Sequence, residues 1–231
     1  MLRGPQNLPE RLLEVGQRMA RAAARAGRSA QSVTLLAVTK AQPAEVVRAA
    51  ADLGLNDFGE SYLQEALEKL DALQDRALTW HFVGRIQANK TRPIAERFAW
   101  VHAVDRLKIA ARLSEQRPHY APPLNVCLQV RLGDEAGKGG AGADELPALV
   151  RAVAQLPRLT LRGLMCIPPE ETEAARQHAW FRELRRLYET LNAGGAALDT
   201  LSMGMSGDFE AAIEEGATIV RIGTALFGPR N

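Results

Sequence analysis

Lys40 closes the apolar run Leu35-Leu36-Ala37-Val38-Thr39 and is followed shortly by Pro43. An amine placed where a strand gives way to its loop can be partly desolvated, which favours its neutral, nucleophilic form and makes Schiff-base chemistry available. The plainer alternative is a lysine whose stem lies along a rim with its charge in water. Far downstream, Leu201-Ser202-Met203-Gly204-Met205-Ser206-Gly207-Asp208 and Arg221-Ile222-Gly223-Thr224 each end a further apolar run. Glycines in such loops let backbone N–H groups approach an anion, Ser206 and Thr224 add hydroxyl donors, and Arg221 supplies a planar cationic fork. Taken singly, Gly204 and Gly207 serve tight turns and Ser206 caps a helix. Taken together, an amine and an anion cradle suit an aldehyde bearing a phosphate. That aldehyde is either pyridoxal 5′-phosphate or the sugar phosphate of a Schiff-base aldolase.

The elements that must position these groups alternate along the chain. An amphipathic helix opens it, with Leu8, Leu12, Val15, Met19, Ala23 and Ala26 on one face and Gly27 as its stop. Its arginines are those of a transit peptide, but Glu10 and Glu14 are not, and the apolar stripe reads as packing. Strand-like runs follow at 33–39, 57–59, 79–83, 100–103, 124–130, 160–167, 198–202 and 218–222. Helical patterns separate them, beginning near Pro43, Leu63, Thr91, Asp105 (the expected N-cap), Asp144, Thr172 and Phe209. Eight runs joined by helices call for parallel βαβ connections and a single α/β domain over residues 1–231, a closed (β/α)8 TIM barrel with an extra N-terminal helix. An open doubly wound sheet is the alternative. In a barrel the ends of strands one, seven and eight meet at one mouth, where the last two loops form a recurring phosphate site. Nine residues follow Ile222, so no second domain is expected after the barrel.

The 231 residues are 46% hydrophobic and 24% charged, which is globular composition rather than disordered or fibrous. The formal net charge of +2 gives no electrostatic case for nucleic acid, and no apolar run approaches a membrane span. No secretory leader is evident, and two cysteines in apolar runs, Cys127 and Cys166, fit a reducing compartment. A cytoplasmic monomer is the expectation.

Six ordered segments carry a family resemblance: Leu35–Lys40, Phe58-Gly59-Glu60-Ser61-Tyr62-Leu63-Gln64-Glu65, Trp80-His81-Phe82-Val83-Gly84-Arg85-Ile86-Gln87-Ala88-Asn89-Lys90, Arg162-Gly163-Leu164-Met165, Leu201–Ser206 and Arg221–Thr224. Together they resemble the pyridoxal phosphate homeostasis proteins, the YggS/PROSC family, whose barrel is similar to the amino-terminal domain of alanine racemase. The resemblance implies that pyridoxal 5′-phosphate is held on Lys40 as a Schiff base. It also implies that Ser206, Gly223 and Thr224 hold the phosphate, that Arg221 approaches the pyridine nitrogen, and that Ser61, Ser202 and Met203 belong to the cofactor site. Asp105-Arg106-Leu107 and the loop with Lys138 and Gly140 fit the family pattern too. Ser61 departs from it, standing where the family usually has Asn.

The same resemblance implies a role in vitamin B6 homeostasis, with free pyridoxal phosphate and apo-enzymes that need it as partners. An arginine at the ring nitrogen weakens the ring as an electron sink, and racemisation needs a second acid–base that racemases take from a carboxy-terminal domain. Binding without amino-acid turnover is therefore expected; an amino-acid racemase or decarboxylase-like enzyme is the alternative. His81 and His102 are expected as satisfied barrel histidines and His119 and His178 as surface residues, with no metal-ligand spacing among them. Asn89-Lys90 and Arg92 form a basic loop read as solvated.

Overall fold

The computed structural model describes residues 7–133 and 139–229. Eight parallel strands close on themselves in sequence order: β1 (Thr34–Val38), β2 (Asp57–Glu60), β3 (Thr79–Phe82), β4 (Trp100–Val104), β5 (Leu124–Val130), β6 (Leu159–Cys166), β7 (Thr200–Ser202) and β8 (Ile219–Ile222). Closure is made by β1 on β8, with Thr34 opposite Ile219 and Ala37 opposite Ile222. The open doubly wound alternative is thereby excluded.

Each strand is followed by a helix: α2 (Ala44–Asp52), α3 (Leu63–Ala72), α4 (Thr91–Arg97), α5 (Leu107–Gln116), α6 (Leu146–Ala154), α7 (Ala174–Ala193), α8 (Phe209–Glu214) and α9 (Thr224–Phe227). Their apolar faces explain the fold. In α5, Ile109, Ala110 and Leu113 are buried at helical spacing, and β5 buries Leu124, Val126, Cys127, Leu128 and Val130. The extra helix α1 (Leu8–Arg25) buries Leu8, Val15, Met19, Ala22 and Ala23 and lies on α8. Arg18 reaches Glu210 at 2.7 Å and stands over the Phe209 ring, while Arg25 donates to Glu214. This is packing, as the stripe requires. Among the described residues no helix is long and apolar enough to cross a membrane.

Local details depart from the sequence reading. Asp105 is not an N-cap: Arg106 holds that position in extended geometry, and both Asp105 carboxylate oxygens accept from its guanidinium at 2.7 Å. A charge-assisted fork to the neighbouring arginine outcompetes the helix amides for this carboxylate. The short α9 has no counterpart in the sequence pattern, because four residues carry no periodicity. His178 is half-buried rather than a plain surface residue, lying between Glu214 (3.4 Å) and Glu215 (3.1 Å), which also takes Arg182. His119 is exposed.

Candidate functional site

The carboxyl ends of β1, β7 and β8 frame a cavity of about 260 Å³. Lys40 and Val38 form one wall; Met205, Ser206 and Gly207 of the loop after β7 and Gly223 and Thr224 after β8 form another. Ser61, Val83 and Ile167 complete the rim, and Arg221 lies at the floor. Six of the eight residues assigned from the sequence thus meet in one hollow: Lys40, Ser61, Ser206, Arg221, Gly223 and Thr224. Ser202 and Met203 do not line it. Both are fully buried behind it, and Ser202 acts on the site through Arg221.

Arg221 is one residue from the end of β8 and only 5% exposed. Its NH1 donates to the Ser202 carbonyl at 2.7 Å and to the Ser202 hydroxyl at 2.9 Å, and NH2 donates to the Cys166 carbonyl at 2.8 Å. Burial lowers its pKa, yet a guanidinium stays charged under all ordinary conditions. The floor is therefore a fixed cation whose plane is set by β6 and β7.

The two phosphate-type loops are tied to each other. The Ser206 hydroxyl accepts the Ala225 N–H of α9 at 3.2 Å, and the Asp208 carboxylate accepts the Met205 N–H at 2.6 Å, closing the turn before α8. Burial pushes the Asp208 carboxyl up, while Arg221 and that N–H favour its charge. The two glycines differ in role. Gly204 has φ +92°, and a Cβ there would stand 2.5 Å from the Ala212 Cβ, so the turn needs glycine; a Cβ on Gly207 would meet nothing within 4 Å, so no packing contact requires glycine there.

The backbone carrying Lys40 is held from outside the barrel. Ala41 adopts φ +62°, an uncommon conformation for a residue with a Cβ, and its N–H donates to Glu65 at 2.6 Å. Glu65 in turn meets the Lys69 ammonium, which also donates to the Thr39 carbonyl at 2.6 Å and to Glu60 at 2.7 Å; Thr39 Oγ1 donates to the same Glu60 oxygen. Burial raises the Glu60 pKa against the pull of Lys69, and its second oxygen finds no partner among the described residues. The sequence reading passed over this cluster. Its signal was the Glu65–Lys69 spacing of four on one helix beside a carboxylate at the end of a short strand.

Other expectations resolve as follows. His81 and His102 are buried and hydrogen-bonded. Burial drives the Cys127 and Cys166 thiols up to about 12, which makes them inert packing groups at neutral pH. Lys138 lies outside the described residues, while Gly139 next to it accepts from the Gln129 amide at 2.7 Å. Asn89 and Lys90 lie in a short 3-10 turn and Arg92 in the first turn of α4, so the expected basic loop is helical; Arg92 is nevertheless 67% exposed and only loosely paired with Glu96, as a solvated side chain would be.

Compared with known proteins, residues 16–231 match the family model for the alanine racemase N-terminal domain. The chain is 61% identical over 224 residues to a pyridoxal phosphate homeostasis protein of Pseudomonas aeruginosa, covering 97% of this chain and 96% of the relative. It is 47% identical over 228 residues to the protein of the same name from Escherichia coli, covering 97% of each. Among solved structures, PipY of Synechococcus elongatus with pyridoxal phosphate bound superposes with a TM-score of 0.81 at 38% identity, over 91% of this chain and all of that one.

Proposed function

Because this chain belongs to the family of the pyridoxal phosphate homeostasis proteins, on the alanine racemase N-terminal barrel, we propose that it holds pyridoxal 5′-phosphate on Lys40 and exchanges it with the cellular pool. In this reading residues 1–231 act as one barrel domain, a cytoplasmic monomer, whose partners are the free cofactor and the apo-enzymes that use it. The observation that carries the reading is one cavity in which a strand-end amine faces a pair of joined, glycine-containing loops over a buried guanidinium.

The residues present fit the group. When bound, the cofactor supplies an aldehyde that condenses with an amine, releasing one water, and a ring that withdraws electrons. Lys40 Nζ is the amine in the cavity lining that would form the carbon–nitrogen bond. The Ser206 and Thr224 hydroxyls and the backbone of Gly223 would hold the phosphate, and Ser61, on the rim of the cavity, would be placed near the ring. Arg221, a donor only, would offer an N–H to the ring nitrogen and would disfavour a proton on it, which would make the ring a weak electron sink. Met203 is fully buried behind the cavity, and Ser202 holds Arg221 in place.

Binding without turnover is favoured by the lining itself. Among the described residues around the cavity, Lys40 and Arg221 alone carry ionisable side chains, so no second acid–base stands opposite the lysine. Borohydride reduction of the protein loaded with pyridoxal phosphate, followed by peptide mapping, tests the attachment. Label on Lys40 and its loss in Lys40→Ala are expected, and label elsewhere overturns the assignment. Sustained turnover of any member of a panel of L-amino acids would establish an enzyme instead.

A further inference from the structure

A chain of hydrogen bonds runs through the barrel from the site to its opposite end. Arg221 NH1 lies 2.9 Å from Ser202 Oγ, and Ser202 Oγ lies 2.8 Å from His102 Nδ1. His102 Nε2 lies 3.0 Å from His81 Nδ1, and His81 Nε2 lies 3.1 Å from Asp57 Oδ1 at the first residue of β2. The imidazoles are 1% and 0% exposed, whereas Asp57 is partly open to water.

With both imidazoles neutral, only one arrangement of protons satisfies every link. A guanidinium only donates, so Ser202 Oγ accepts at the upper end; a carboxylate only accepts, so His81 carries its proton on Nε2 at the lower end. His81 Nδ1 is then a lone pair and accepts from His102 Nε2–H. His102 Nδ1 accepts in its turn from the Ser202 hydroxyl. The carboxylate end sets the direction, and the Ser202 oxygen, which keeps a lone pair for the guanidinium, is compatible with it. The other groups facing the pair are the Trp100 ring, stacked on His81 at 5.4 Å, and the Arg221 cation, whose charge disfavours a proton on His102. Burial, the largest cause, lowers the pKa of both imidazoles and so favours their neutral forms, against the pull of Asp57 on His81.

We infer that Asp57, His81 and His102 are positioning residues for Arg221: they draw the Ser202 hydroxyl proton to His102, turn the oxygen's lone pairs toward NH1, and so orient the guanidinium at the pocket floor from the far side of the barrel. The inference rests on the reading above only in taking that floor to face the cofactor ring. Imidazole ¹⁵N correlation spectra of the ligand-free protein test the chain directly. Between about pH 6 and 8, both histidines are expected as neutral Nε2–H tautomers; an Nδ1–H tautomer or an imidazolium at either position overturns it.

Asp57→Ala tests the action at a distance. Water at that end can donate or accept, so a fraction of Nδ1–H tautomer is expected at both histidines. The absorption band of bound pyridoxal phosphate should shift and its Kd rise by about threefold or more, while borohydride still labels Lys40. Asp57→Asn, whose amide oxygen accepts from His81, should restore all three readouts. A lower melting temperature with unchanged tautomers and spectrum would show a merely structural role and sink the inference. Failure of the wild-type protein to label at Lys40 would instead defeat the cofactor reading, leaving the tautomer result to stand or fall separately.

Discussion

Two buried polar clusters flank the first two strands, and they meet the cost of desolvation in different ways. Outside the barrel, Thr39, Glu60, Glu65 and Lys69 form an ionic knot between β1, β2 and α3. Inside it, His81, His102 and Ser202 are neutral groups lined up between one half-exposed carboxylate and one buried guanidinium. The outer cluster spends opposite charges to hold a backbone, the strained turn at Ala41 behind Lys40. The inner cluster spends hydrogen-bond direction to hold one side chain. Charge pairing fixes position, and an oriented chain of neutral groups also fixes which atoms donate.

Removing the outer cation should break this contrast most forcefully. Lys69→Met leaves Glu60 without its counter-ion in a site where both partners are almost fully buried. A buried pair broken from one side costs about 3–5 kcal/mol. Urea unfolding should show that loss, with weaker labelling of Lys40 as the Ala41 turn loosens. A change below about 1 kcal/mol would mean that Glu60 is held as a neutral acid and that Glu65 alone satisfies the ammonium.

The two clusters also respond to acid with opposite sign. Burial lowers the pKa of His81 and His102 below the ordinary 6.5, so the unfolded chain binds protons that the native state refuses. Their contribution is complete above the unfolded value and is lost as pH falls through about 6.5, by about 1.4 kcal/mol per pH unit for each proton. Glu60 is shifted upward by burial, so the native state there binds a proton more readily than the unfolded chain. Its contribution is complete below about 4.5 and is lost as pH rises through the elevated native value. Denaturation across this range should show His102→Gln flattening the loss of stability on acidification and Glu60→Gln steepening it. A common direction for both variants would erase the distinction between the clusters.

Much of this was legible in the chain, for reasons that also mark where legibility ends. Strands such as 124–130 declare themselves because a parallel barrel strand is buried on both faces, so Val126, Cys127 and Leu128 are apolar in succession where a one-sided strand would alternate. Lys40, Ser206, Arg221, Gly223 and Thr224 could be brought together because strand order in a closed barrel fixes which loops are neighbours. Ser202 and Met203 lie in the same motif as Ser206, but a motif does not say which residues face the hollow and which sit behind it. The chain from Asp57 to Arg221 was out of reach. It joins side chains of β2, β3, β4, β7 and β8, so it depends on their relative stagger, which no local pattern encodes. Asp105 failed as a cap because its competing partner, Arg106, is adjacent in sequence and offers a stronger bond than an amide.

The smallest expected effect concerns Ser61, which the sequence reading set apart from the family pattern. Ser61 lies between β2 and α3 on the rim of the cavity, and a Cβ on Gly84 would collide with its carbonyl, so the backbone at 61 is pinned by the loop after β3. Enlarging the side chain therefore extends it into the cavity rather than moving the strand end. On the proposed placement of the cofactor, Ser61→Asn should add one amide contact, worth about 0.5–1.5 kcal/mol, or up to about tenfold in Kd for pyridoxal phosphate. Titration of the cofactor absorption band measures it. Unlike Lys69→Met, this variant should leave urea unfolding of the ligand-free protein unchanged, because the new amide gains its partner only when the cavity is filled. A variant that gained stability without ligand would place residue 61 with the backbone-holding cluster outside the barrel rather than with the side-chain-orienting one inside it.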